Sequence, residues 1–190
     1  MSSQNNALKL MLSDKRTVFT IQSMVMLSGI SDGNRLAKMM NYYVKKGEIM
    51  NPRRGIYTKP AYNAEELACA IFHPSYISLE YVLKQAGVIF QYDSTITSVS
   101  YLSRYVEVDG RAYSFRQIKP EIWMDLSGIR QVGNICIATP ERAFLDMLYL
   151  SDGNCHFDNP HPIKCKEVKA LLPSYHSKTL AQTAAKLLNL

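Results

Sequence analysis

Residues 20–58 read TIQSMVMLSGISDGNRLAKMMNYYVKKGEIMNPRRGIYT, the pattern of a helix, a tight turn, a second helix and a short hairpin. Met24 and Val25 put apolar side chains into the first helix. Thr20 can cap it, because a threonine hydroxyl accepts from an N–H that a helix start leaves unpaired. Ser28-Gly29-Ile30 makes the turn, with Gly29 free to take positive φ. The second helix is predicted from about Asp32 to Lys46, with Ser31 as N-cap and Gly47 as terminator. Leu36, Met40, Tyr43 and Val44 recur at helical spacing and point at a core. Asn34, Arg35, Lys38, Asn41 and Lys45 fall on the opposite side, and these side-chain types hydrogen-bond base edges and phosphates. The hairpin then sets Arg53 and Arg54 at a tip bounded by Pro52 and Gly55, projecting outward with no apolar neighbour to suggest burial. This order of elements predicts a winged helix-turn-helix, with those seven polar and basic residues as its contacts to double-stranded DNA.

Working outward, residues Ser3 to Leu12 carry a short apolar stripe of Leu8, Met11 and Leu12, which predicts a third helix under the recognition helix. Thr17-Val18-Phe19 has extended character and can pair with the hairpin as a third strand. The charge follows the same division. Residues 1–60 hold 10 Lys and Arg against 3 Asp and Glu, whereas residues 61–190 hold 12 against 13. A basic DNA-binding domain over 1–60 and a near-neutral domain over 61–190, joined at Lys59-Pro60-Ala61, is the expected organisation. A domain of about 60 residues is marginal alone and leans on the rest of the chain.

Past the junction, Asn63 caps a helix with Glu65 and Glu66 in its first turn and Leu67 and Ile71 on its apolar side, ended by Pro74. Another helix runs from about Ser78 to Ala86 and stops at Gly87. Between Val88 and Ile118 the texture turns to β, with Asp109-Gly110 as a hairpin turn. Strand character returns over Gln131–Ala138. Thr139-Pro140-Glu141 is a helix start, and Arg142 and Asp146 stand four apart and can pair. After a loop at Ser151–Pro162 come two helices, roughly Cys165–Leu172 and Ser177–Leu188. The fold class expected is α+β, a winged helix-turn-helix followed by a mixed α+β domain.

Several stretches together resemble the AbiEi-type antitoxins of type IV toxin–antitoxin systems. They are Phe19-Thr20, Ser28-Gly29-Ile30, Arg53-Arg54-Gly55-Ile56-Tyr57 and Tyr76-Ile77-Ser78-Leu79-Glu80. The sharpest is Ile137-Ala138-Thr139-Pro140-Glu141-Arg142-Ala143-Phe144-Leu145-Asp146, close to the family's Ala-Ser-Pro-Glu-Lys-Ala-Leu-Leu-Asp pattern. The chain departs from that pattern at Arg142, where a Lys is common, and at Tyr81 and Val82, where small residues are common. The resemblance implies a DNA-binding repressor of its own operon whose second domain antagonises AbiEii, a nucleotidyltransferase-like toxin. It implies no cofactor.

Other chemistries find less support. The carboxylates Glu80, Asp93, Glu107 and Asp109 that a metal-dependent nuclease would need have no lysine in register, and read as turn and surface residues. Cys155, His156, His161 and Cys165 fit no common zinc spacing. No glycine-rich phosphate loop is present, Gly128 and Gly133 being isolated. A stand-alone regulator whose second domain senses a small ligand is the alternative reading. No apolar run reaches the ~20 residues of a membrane helix, and the four cysteines are dispersed, so the expected setting is the cytoplasm.

Overall fold

The computed structural model describes residues 2–189 of a mixed α+β protein that divides after His73 into two units. The first unit runs α1 (Ser2–Ser13), β1 (Val18–Thr20), α2 (Ile21–Ser28), α3 (Gly33–Lys45), β2 (Met50–Arg53), β3 (Ile56–Thr58) and α4 (Ala64–Ile71). Its strands form an antiparallel sheet in the order β1-β3-β2, so the Thr17–Phe19 stretch does pair with the hairpin. Ala7, Leu8 and Met11 of α1 join Met24, Leu36, Met40 and Tyr43 of α2 and α3 in one buried cluster, closed by Phe19, Ile49 and Tyr57 from the sheet side. Burying each large apolar side chain of this kind contributes about 1.5–3 kcal/mol, and this cluster holds the three helices together.

The caps explain where the helices begin and end. Thr20 Oγ1 accepts from Ser23 N at 3.1 Å, and Gly29 leaves α2 in the left-handed region at φ 70°. Asp32 rather than Ser31 caps α3: its Oδ1 accepts from Asn34 N at 3.0 Å and Arg35 N at 3.1 Å. The physical reason is charge, since a carboxylate at a helix N-terminus gains from the dipole as well as the hydrogen bonds. At the far end Glu48 N reaches Tyr43 O at 3.1 Å across Gly47, which stops the helix as expected.

The expected boundary at Pro60 needs correction. α4 belongs to the first unit, which ends at His73. One Glu66 carboxylate oxygen accepts from Thr17 N at 2.7 Å, Thr17 Oγ1 at 2.8 Å and Val18 N at 2.9 Å, tying α4 to the start of β1. Thr17 Oγ1 accepts in turn from Asn63 N at 2.8 Å.

The second unit comprises β4 (Ser75–Ile77), α5 (Leu79–Gln85), β5 (Ile96–Ser100), β6 (Arg104–Val108), β7 (Arg111–Gln117), α6 (Pro120–Trp123), β8 (Ile129–Val132), β9 (Ile135–Ala138), α7 (Pro140–Leu150), α8 (Cys165–Leu171), a 3-10 turn (Leu172–Tyr175) and α9 (Lys178–Leu188). The six strands make one mixed sheet in the order β6-β7-β5-β4-β9-β8. Asp109-Gly110 turns β6 into β7, both residues at positive φ, as a two-residue hairpin of this kind requires. The single stretch expected over Gln131–Ala138 is instead the end of β8, a turn at Gly133-Asn134, and β9. Ser75 lies opposite Ser100 and Ile77 opposite Ser98, so three serines share one face of the sheet. The hydroxyls of Ser75, Ser98 and Ser100 are buried without a hydrogen-bond partner.

Among the described residues no helix is long and apolar enough to cross a membrane.

Candidate nucleic-acid interface

The amphipathic pattern of α3 decides what the first unit can present. Leu36, Met39, Met40 and Tyr43 are buried, and Asn34, Arg35, Lys38, Asn41 and Lys45 are all exposed. The five helical residues expected to contact DNA therefore do share one solvent-facing side. A groove of about 640 Å³ runs along this side, lined by Asp32, Asn34, Arg35, Lys38 and Tyr42 among others. The capping Asp32 adds a carboxylate at its N-terminal end, engaged by backbone N–H groups.

Asn41 is partly committed. Its Oδ1 accepts from the Tyr57 hydroxyl at 3.0 Å, which fixes the amide and ties α3 to β3. Its NH2 group keeps donor capacity.

The hairpin separates the two arginines that the sequence places together. Arg54 and Gly55 form the turn, Gly55 at φ 80°, and Arg54 is exposed. Asn51 Nδ2 donates to Arg53 O at 2.9 Å and Ile56 O at 2.7 Å, which stiffens the turn from below. Arg53 stands in β2, half-buried, with its guanidinium 5.3 Å from the centroid of the Phe72 ring. The expectation that Arg53 projects from the tip without an apolar neighbour is thus corrected. The neighbour comes from just beyond α4, and nothing near Arg53 in sequence signals it.

Two further residues belong to this surface. Tyr42 is exposed on α3, and Lys46 lies just past its end with Nζ 4.6 Å from the Tyr42 ring centroid. The hydrogen bond to the Tyr42 hydroxyl holds the Lys46 ammonium above the usual lysine range. The spacing of Arg35, Lys38, Tyr42 and Lys46, in steps of three and four, is the sequence signal that places them in one row.

The second unit keeps its strongest charges inside. Arg142 and Asp146 do pair, 3.2 Å apart, and both are fully buried. Every N–H of the guanidinium is used. Nε donates to Asp146 Oδ1, one terminal nitrogen to Asp125 O and Ser127 O, and the other to Tyr76 OH and Ile122 O. Asp146 also accepts from Ser78 Oγ at 2.7 Å and Tyr175 OH at 2.6 Å. Burial opposes the Arg142 charge; Asp146, Tyr175 and Tyr76 together offset it, and the guanidinium stays above its ordinary range. The Thr139–Asp146 motif is therefore the internal hub of this unit, joining α7 to β4, to the cap of α5 and to the loop after α6. Gly128 completes it, because a Cβ there would stand 2.9 Å from Arg142 Cβ.

The dispersed carboxylates stay dispersed: Asp93, Glu107 and Asp109 are exposed, and Glu80 is half-buried. Among the described residues no group of three or more His, Cys, Asp or Glu side chains is placed to hold a metal ion.

Compared with known proteins, the chain is similar in fold to the crystal structure of the RV2827C protein from Mycobacterium tuberculosis. The TM-score is 0.50 at 12% identity, and the match covers all of this chain and 77% of that one. No family model and no curated protein matches the sequence. At that identity the likeness concerns the fold alone.

Proposed function

We propose that the chain is a cytoplasmic DNA-binding repressor of its own operon and the antitoxin of a type IV toxin–antitoxin system, opposing an AbiEii-like nucleotidyltransferase toxin. The observation that carries the DNA-binding half is the exposed side of α3. Asn34, Arg35, Lys38 and Lys45 stand together there, exposed, on the side of the helix opposite its buried residues. The succession of three helices and a β1-β3-β2 sheet supports reading the first unit as a winged helix-turn-helix, with α3 as recognition helix and the Arg54 turn as wing. The antitoxin half rests on the sequence resemblance, whose sharpest motif forms the Arg142 hub. In this reading the protein is no enzyme and needs no cofactor. Two measurements test it. Fluorescence anisotropy with the promoter region of its own operon should show tight binding that weakens steeply with salt. The gene beside it should encode a nucleotidyltransferase-like toxin, and co-expression of this chain should restore growth to cells making that toxin; failure of both measurements would sink the reading.

A second reading has its own observation. A hollow of about 400 Å³ in the second unit, between the end of α7 and the start of α9, is edged by Lys119, Asp152, His176 and Thr179 over Leu148 and Leu180. Volume and lining suit a small polar ligand, which favours a ligand-sensing regulator. Thermal-shift screening of charged metabolites, followed by operator binding with any hit, separates the two.

A further inference from the structure

α3 carries one exposed aromatic ring among its polar side chains. Tyr42 is 53% exposed, and it lines the same groove as Asn34, Arg35 and Lys38. At about 3.6 residues per turn it projects between Lys38 and Arg35, on the side of the polar face that borders buried Met39. The ring is held in place. Tyr43 meets it edge-on, with centroids 5.4 Å apart and planes at 70°, and the Lys46 ammonium lies over it. A face serving only solvation has no use for a braced ring, whereas a recognition surface does: little conformational freedom is lost when such a ring makes a contact.

The major groove displays hydrogen-bonding atoms at every base pair and one apolar group, the 5-methyl of thymine. Asn34, Arg35 and Lys38 have chemistry for the former, and Tyr42, the exposed ring of α3, offers apolar surface for the latter, beside the buried Met39 and Tyr43 that also line the groove. Resting on the repressor reading above, we infer that Tyr42 is a specificity-determining residue that reads thymine, its ring packing on the 5-methyl group. Tyr42 stands roughly two helical turns from Asn34 and Arg35, about 10–12 Å along the axis. With α3 lying along the groove, the thymine is about three base pairs from the bases those two residues meet.

The test begins by selecting the preferred duplex from a randomised pool with the full chain. Each thymine of that duplex is then replaced, one at a time, by deoxyuracil, which removes only the methyl group. For the wild type, affinity should fall about three- to fourfold at one thymine and little elsewhere. Tyr42→Phe should keep that loss, because the ring remains while the hydroxyl goes. Tyr42→Ala should bind the thymine and uracil duplexes equally. A wild type indifferent to every replacement overturns the inference, and needs no variant to do so. A loss that persists in a folded Tyr42→Ala assigns the methyl to another side chain and overturns it too. In both cases the repressor reading survives. A wild type that selects no duplex removes the repressor reading and this inference with it.

Discussion

Arg53 and Arg54 are neighbours in sequence and differ in physical situation. Arg54 is exposed at the turn, while Arg53 packs on Phe72. Removing one side chain that neutralises a phosphate lowers the slope of log K against log salt by about 0.9. Arg54→Ala is therefore expected to flatten the salt dependence of DNA binding by about that amount. Arg53→Ala should change the slope less and cost about 0.5–1 kcal/mol of stability, since the cation–ring interaction with Phe72 goes. Anisotropy over a salt series together with urea melts checks the pair, and equal slopes for both variants would contradict it. Arg142 is the opposite extreme, a charge with no exposure at all. Arg142→Met leaves the Asp146 carboxylate buried without its ion and three backbone carbonyls without their donor. A loss of about 3–5 kcal/mol is expected, read as a lower urea midpoint. Arg142→Lys keeps the charge and supplies fewer donors in a different geometry, so it should recover only part.

At the scale of elements, α4 makes the sharpest prediction. A fragment ending at residue 60 lacks Glu66, and with it the acceptor for Thr17 N, Thr17 Oγ1 and Val18 N. Circular dichroism should show a cooperative melt for residues 1–73 and none, or a much lower one, for residues 1–60. Glu66→Ala in the full chain should cost on the order of 2–3 kcal/mol, because it orphans backbone donors and removes charge-assisted bonds. Equal melts for the two fragments would show that α4 is a passenger. Element by element, local signals are legible in the sequence and distant ones are not. Thr20, Asn63 and Thr139 cap the helices that their types and positions announce, and Asp109-Gly110 turns its hairpin. The cap of α3 falls one residue from its expected place because Ser31 and Asp32 are both good capping types, and sequence alone does not show which backbone turns first. β4 is hidden because three residues are too few to show a period. The depth of the Arg142–Asp146 pair is invisible because a four-residue spacing is the same on a helix surface and in a core. Of the candidate site, the α3 face is legible from its period, and the Arg53–Phe72 contact is not, since its partners meet only in the folded chain.

Acid should loosen both units of the molecule. Asp14, hydrogen-bonded by Arg16, is lowered to about 2 in the first unit. Asp125, hydrogen-bonded by Ser174 and Ser127, is lowered to about 2 in the second. A carboxyl depressed by folding contributes stability that is complete above its unfolded value near 4 and is lost as pH falls toward its folded value. Each unit should therefore lose on the order of 1 kcal/mol between about pH 4 and pH 2, after allowance for solvent screening. Asp125→Asn should weaken the protein at neutral pH and reduce the acid sensitivity, as followed by thermal melts across that window. An unchanged pH profile in this variant would mean the hydrogen bonds do not favour the charged form.

The strand order also sets a timetable for synthesis. β4 lies between β5, which comes soon after it in the chain, and β9, whose Ile137 pairs with Ile77 across 60 residues of chain. On a ribosome, β4 and β5 can pair early, but the second edge of β4 stays open until β9 has emerged. Arg142, which anchors the carbonyls around α6, arrives later still. Nascent chains stalled before Ile135 should thus expose an apolar strand edge and bind chaperone, a state that long-range strand pairing makes aggregation-prone. Chains stalled with α7 fully outside the exit tunnel should be protected. Limited proteolysis of the two stalled sets would show a step in protection on crossing this point, so residues from Ile135 onward carry the parts that close the sheet begun by β4 and β5.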